Sequence, residues 1–101
     1  MNNITIVGTG LIGASIGLAL REAGFAGGIT GIDASGDELK AAQTMGAIDN
    51  AARSPDEHRA ALESADVIVL AVPVLGILNW MRQIAPHMGA CLLYTSPSPR
   101  D

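Results

Sequence analysis

Apolar positions fall in two kinds of block along this chain: short unbroken runs, and longer stretches in which they recur every three or four residues. Ile4 to Val7 is a run of the first kind, closed by Gly8, and predicts a strand buried on both faces of a parallel sheet. Leu11 to Ala23 predicts a helix with Ile12, Ile16, Ala19, Leu20 and Ala23 on its inner stripe, Arg21 near its carboxyl end and Gly24 as its stop. Gly27-Gly28 turns the chain into a second strand over Ile29 to Ile32, which ends at Asp33. Ser35 and Glu38 have capping-box spacing and open a helix that carries Leu39, Ala42 and Met45 and stops at Gly46. Ile48 to Ala51 predicts a short third strand. Ser54-Pro55-Asp56-Glu57 repeats the helix-start signal for a short amphipathic helix to about Glu63. Asp66 to Val72 predicts a fourth strand, broken by Pro73. Val74, Ile77, Leu78, Met81, Ile84 and Ala85 then follow at helical spacing up to Pro86.

Strand and helix therefore alternate throughout, which implies right-handed βαβ crossovers. The expected fold class is α/β: a Rossmann-type, doubly wound, open parallel sheet of about five strands with helices on both faces, truncated after its last strand. Residues 1–90 form one domain in this reading. Cys91 to Asp101, CLLYTSPSPRD, reads differently, because its alternating Ser-Pro suits no sixth element of such a sheet. These residues resemble the conceptual translation of a transposon-type sequencing adapter, so 91–101 are expected to be a non-native tail, with a genuine Pro-rich tail as the alternative. Cys91 to Thr95, apolar and partly β-branched, retains the character of a strand.

Composition narrows the function classes. The chain has 101 residues, 16% of them charged, and a formal net charge of −4, with no basic run to attract nucleic acid or anionic lipid. A single cysteine, Cys91, excludes an internal disulfide and fits a reducing, cytoplasmic setting; with only His58 and His87 beside it, no metal-ligand cluster arises. Met1 to Leu20 is uncharged and holds a small-xxx-small pair at Gly13 and Gly17, which raises the question of a membrane helix. The β-branched start, the glycine turn and polar Thr9 and Ser15 argue against that reading and against a signal peptide.

Gly8-x-Gly10-x-x-Gly13 follows the first strand and opens the first helix, the context in which this spacing carries information. Gly8 permits a tight turn, Gly10 lets backbone approach a pyrophosphate, and Gly13 lets the helix pack closely on the strand. No acid stands in the first turn, so the helix offers free N–H groups and a partial positive charge to a phosphate, and Gly8, Thr9, Gly10, Leu11, Ile12 and Gly13 are the candidate cofactor-binding residues of the turn. Gly17 lies outside the fingerprint and is assigned to close packing. Asp33 stands twenty residues beyond Gly13, where a carboxylate accepts from adenosine ribose hydroxyls. Its charge repels a 2′-phosphate, and Ala34 and Ser35 supply no cation, so NAD is favoured over NADP. Ala71, Val72 and Pro73 are expected across the crevice from the glycine turn, in contact with cofactor, although Pro73 has the alternative role of ending the strand. His58, His87, Trp80, Met81 and the helix-start acids Asp37, Glu38, Asp56 and Glu57 read as surface or packing residues, with no acid-base pair among them.

These residues resemble the amino-terminal half of the prephenate/arogenate dehydrogenase family of tyrosine biosynthesis. The resemblance rests on Ile6 to Gly17, Gly31-Ile-Asp-Ala-Ser35, Met45-Gly-Ala-Ile-Asp49 and Ala65 to Val74, and spans about Ile4 to Ala90. It implies NAD(P)-dependent oxidative decarboxylation of prephenate or arogenate, with a hydride passing to nicotinamide as the ring aromatises. It also implies a helical domain through which the parent forms a homodimer. The family's proton-accepting histidine and its Gly-Ser-x-Lys segment lie beyond the fifth strand and have no counterpart in this sequence. The expectation is therefore a cofactor-binding fragment with no catalytic residue of its own, inactive alone. Two alternatives stay open: the same domain from another dehydrogenase or reductase, and a noncatalytic dinucleotide sensor.

Overall fold

The structure, a computed structural model, describes residues 2–72, residue 82 and the strand at 91–94. Among these lie β1 (Asn3–Val7), α1 (Leu11–Glu22), β2 (Gly28–Ile32), α2 (Gly36–Thr44), β3 (Asn50–Ala52), α3 (Pro55–Ser64), β4 (Val67–Leu70) and β5 (Cys91–Tyr94). The five strands form one sheet in the order β3-β2-β1-β4-β5. Every pairing in it is parallel. The chain steps outward from β1 to β3, then returns to the other side of β1 with β4. This reversal opens a crevice at the carboxyl ends of β1 and β4.

Successive strand residues point to opposite faces, and each face has its own core. Ile4, Ile6, Ile29, Val67 and Val69 pack with Ala14, Leu39, Ala42, Ala47 and Ile48. Val7, Ile32, Ile68 and Leu70 pack with Ala61, Leu62 and Ala65 of α3 and its exit. The polar residue inside β1, Thr5, is satisfied: its hydroxyl donates to the Ala61 carbonyl at 2.9 Å. β1 and β4 are thus apolar runs buried on both faces, as expected.

The inner surface of α1 departs from the expected stripe. Gly13, Ala14 and Gly17 are the buried residues, Ile16 and Leu20 flank the core half-buried, and Ala19 and Ala23 are exposed. Glycine adds no hydrophobicity to a periodicity count, yet it forms the contact surface, because a bare Cα lets two backbones meet. A Cβ on Gly17 would stand 2.1 Å from the Ala47 carbonyl oxygen, so the assignment of Gly17 to close packing holds.

Met45 is not a core residue of α2; it is the C-cap and 52% exposed. β3 begins two residues later than expected. Asp49 stands ahead of the strand, where its N–H donates to the Ile29 carbonyl and its carboxylate accepts from the Ile29 N–H at 2.9 Å. Ladder pairing in β4 covers Val67 to Leu70, and the expected end residues Ala71 and Val72 form the exit towards the crevice. β5 pairs Cys91 to Tyr94 with Val67 to Leu70. Apart from residue 82, which is helical, the helix expected over residues 74–86 lies outside the described residues, as do Pro73, Trp80 and His87.

Candidate functional site

Three strand ends converge at the crevice. The Gly8 N–H donates to the Ile32 carbonyl at 2.7 Å, and the Ala71 N–H donates to the Val7 carbonyl at 2.8 Å. Gly8 has φ +93°, a left-handed conformation that glycine adopts without Cβ strain. A Cβ there would also lie 2.4 Å from the Ala71 carbonyl oxygen and 2.9 Å from Val72 Cγ1. The expected neighbours across the crevice, Ala71 and Val72, are therefore in contact with the turn.

Gly13 and Gly10 answer to different constraints. A Cβ on Gly13 would fall 1.8 Å from the Gly8 carbonyl oxygen, so the first turn of α1 is seated directly on the glycine turn. A Cβ on Gly10 would meet only Glu38 Oε2, at 3.8 Å. The fold needs no glycine at position 10 for internal packing. The bare surface faces outward beside the start of α1, which is the shape required for an outside group to reach the main chain.

Gly10 is the N-cap of α1 with extended geometry, no side-chain cap and no acid in the first turn. No cap or acid of α1 itself offsets the helix dipole at this end, which favours an anion. At the far end Arg21 donates to the Phe25 and Gly27 carbonyls at 2.7 and 2.8 Å and pairs with Asp49. Leu11 is 86% exposed and Ile12 half-buried, so what these residues offer the crevice is main chain.

Asp33 sits at the end of β2 as a hub. Its Oδ2 accepts from the Thr9 N–H at 2.7 Å and from the Thr9 hydroxyl at 3.2 Å, while Oδ1 accepts from the Ser35 N–H at 2.9 Å. A carboxylate has about four acceptor positions, which leaves Oδ1 room for a further donor. Thr9, 2% exposed, points inward, and both its donors are committed to Asp33. Thr9 thus ties the glycine turn to β2.

Asp33 also changes the start of α2. Ser35 Oγ accepts from the Glu38 N–H at 3.3 Å, but the Ser35 N–H is bonded to Asp33, so the reciprocal half of the expected capping box is replaced. The Glu38 carboxylate stands near Gly10 instead. Glu38 and Met45 line a groove of about 490 Å³ with Gly10, Leu11 and Leu18, a juxtaposition of α1 and α2 that periodicity along one helix does not reveal.

His58 lies away from the crevice, with Nε2 3.1 Å from the Ala52 carbonyl. Among the described residues, no group of three or more His, Cys, Asp or Glu could hold a metal ion, and no helix is long and apolar enough to cross a membrane.

The parallel sheet and the open glycine turn define a nucleotide-binding α/β domain of the Rossmann type. Residues 16–98 match the family model described as prephenate dehydrogenase, nucleotide-binding domain. The chain belongs to this family. It is 40% identical over 85 residues to the prephenate dehydrogenase of Lactococcus lactis subsp. cremoris, covering 84% of this chain and 23% of that protein. It is 34% identical over 88 residues to the prephenate dehydrogenase of Bacillus subtilis, covering 87% of this chain and 23% of that protein. The fold matches the crystal structure of Aquifex aeolicus prephenate dehydrogenase in complex with hydroxyphenyl propionate and NAD+, with TM-score 0.87 and 28% identity, covering 95% of this chain and 34% of that one. The chain thus spans about a quarter of the length of the curated relatives it matches.

Proposed function

We propose that this chain binds NAD at the Gly8–Gly13 turn and forms the cofactor-binding part of a cytoplasmic prephenate dehydrogenase. The observation that carries the reading is the open surface at Gly10 beside the uncapped start of α1, where a main-chain approach is possible and the field favours an anion. The N–H groups at the start of α1 receive the pyrophosphate, Gly8 and Gly13 fix the shape of the turn, and the remaining acceptor position of Asp33 takes a ribose hydroxyl. Ala71 and Val72 bound the crevice on the β4 side. Bound NAD supplies the hydride acceptor; the described residues bind and orient it.

The family relationship supports a small-molecule substrate, and in this reading it is prephenate or arogenate, oxidised and decarboxylated by a parent enzyme that acts as a homodimer. No residue of this chain is assigned a catalytic role. Calorimetric titration of the chain with NAD and NADP tests the site: binding of NAD is expected to be tighter. Tighter binding of NADP would overturn the role given to Asp33, and binding of neither would overturn the site.

A further inference from the structure

Arg53 follows β3 directly, and the register pairs Ile32 with Ala52, so Asp33 and Arg53 leave the sheet side by side at one edge. The guanidinium reaches over the turn between β2 and α2: Arg53 Nη1 lies 3.4 Å from the point where a Cβ on Gly36 would stand. Gly36 is the first residue of α2, and the turn before it holds Asp33 and Ser35. A Cβ at residue 36 would stand in ordinary van der Waals contact with the guanidinium, which marks how near the cation comes to the turn.

Arg53 also differs from the two arginines that sit in ion pairs. Arg21 is paired with Asp49, and Arg59 with Asp56. Of the acids that follow Arg53, Asp56 is the partner of Arg59, and Glu57 accepts from the main-chain N–H groups of Arg53 and Ser54 at 2.9 and 3.0 Å and so is held in the cap of α3. Among the described residues, no hydrogen bond or ion pair engages the Arg53 guanidinium. An exposed, uncommitted cation in a chain of net charge −4, beside the carboxylate assigned to the ribose, is a device for meeting an anion on that ribose.

We infer that Arg53 is a specificity-determining residue of the nucleotide site, placed to meet the 2′-phosphate of a phosphorylated dinucleotide. The inference rests on the proposed nucleotide site. Asp33 repels the 2′-phosphate and Arg53 attracts it, so the chain prefers NAD and still admits NADP. The planar guanidinium suits a phosphate through paired N–H donors. Its exposure keeps the contribution modest and sensitive to salt.

The test uses the full chain and two mononucleotide probes, 5′-ADP and 2′,5′-ADP, titrated by calorimetry into wild type, Arg53→Gln and Arg53→Lys. Arg53→Gln is expected to lower affinity for 2′,5′-ADP about fivefold more than affinity for 5′-ADP, the size of a solvent-exposed ion pair. Arg53→Lys is expected to recover most of the loss, and the difference is expected to shrink as salt is raised. An unchanged ratio of the two affinities in Arg53→Gln would overturn the role of Arg53 and leave the nucleotide site standing. Failure of wild type to bind either probe would overturn the nucleotide site, and the inference with it.

Discussion

At the start of α3, Ser54 Oγ accepts from the Glu57 N–H, the Glu57 carboxylate accepts from the Ser54 N–H, Pro55 needs no partner, and Asp56 adds a second negative charge. At the start of α1, Gly10 carries no side chain, no cap bond is made and no acid stands in the first turn. Both ends face the same requirement, to satisfy N–H groups that no preceding turn can bond. α3 meets it from within the chain and closes itself. α1 leaves it open at the one place where three strand ends and a reversal of strand order already form a crevice. The difference separates a cap that closes within the chain from one left open at the proposed nucleotide site.

Substitutions can break this contrast, the most damaging being Gly13→Ala. Its methyl would collide with the Gly8 carbonyl at the seat of α1, and a loss of about 3 kcal/mol is expected by urea denaturation, together with loss of nucleotide binding. Gly10→Ala separates the two properties. Stability is expected to change by less than about 0.5 kcal/mol, because the added Cβ meets only the end of Glu38 and the weaker cap is offset by a less flexible unfolded chain. NAD affinity is expected to fall about tenfold or more by calorimetry. Unimpaired binding by this variant would remove the contrast.

Ser54→Ala is the converse: a cost of about 1 kcal/mol in stability with NAD affinity unchanged. The cap also sets the smallest expected effect, on acid stability. Bonds from the Arg53 and Ser54 N–H groups hold the Glu57 carboxyl below its ordinary range, and bonds from the Asn2 and Asn3 N–H groups do the same for Asp66. Their folded pKa values lie below the unfolded ones, so the stabilisation is full above the ordinary carboxylate range, about pH 4, and is lost as the pH falls through the folded values. Urea midpoints are expected to be level from neutral pH to about pH 5 and to decline below, with a shallower decline in Glu57→Gln.

Much of this architecture was legible in the sequence because its cues are local. Serine caps, proline at a first helical position, apolar runs closed by glycine and the spacing of Gly8, Gly10 and Gly13 each act within a few residues. The inner face of α1 was misread because close backbone packing is made by residues without hydrophobic side chains. The start of β3 was misread because Ile48, although buried, packs from the turn ahead of the strand. The strand also ends one residue later, at Ala52, and the position of Arg53 beside Asp33 depends on the register between β2 and β3. The hub at Asp33 could not be read at all: its bonds to Thr9 join residues twenty-four apart and exist only once β1 and β2 are paired.

That hub has a consequence for redesign. Exchanging the residue at position 33 to admit a different coenzyme would also untie Thr9 and Ser35, so the glycine turn and the entrance to α2 would loosen together. An engineer wishing to change which coenzyme is used would do better to leave that carboxylate in place and alter the residues around it.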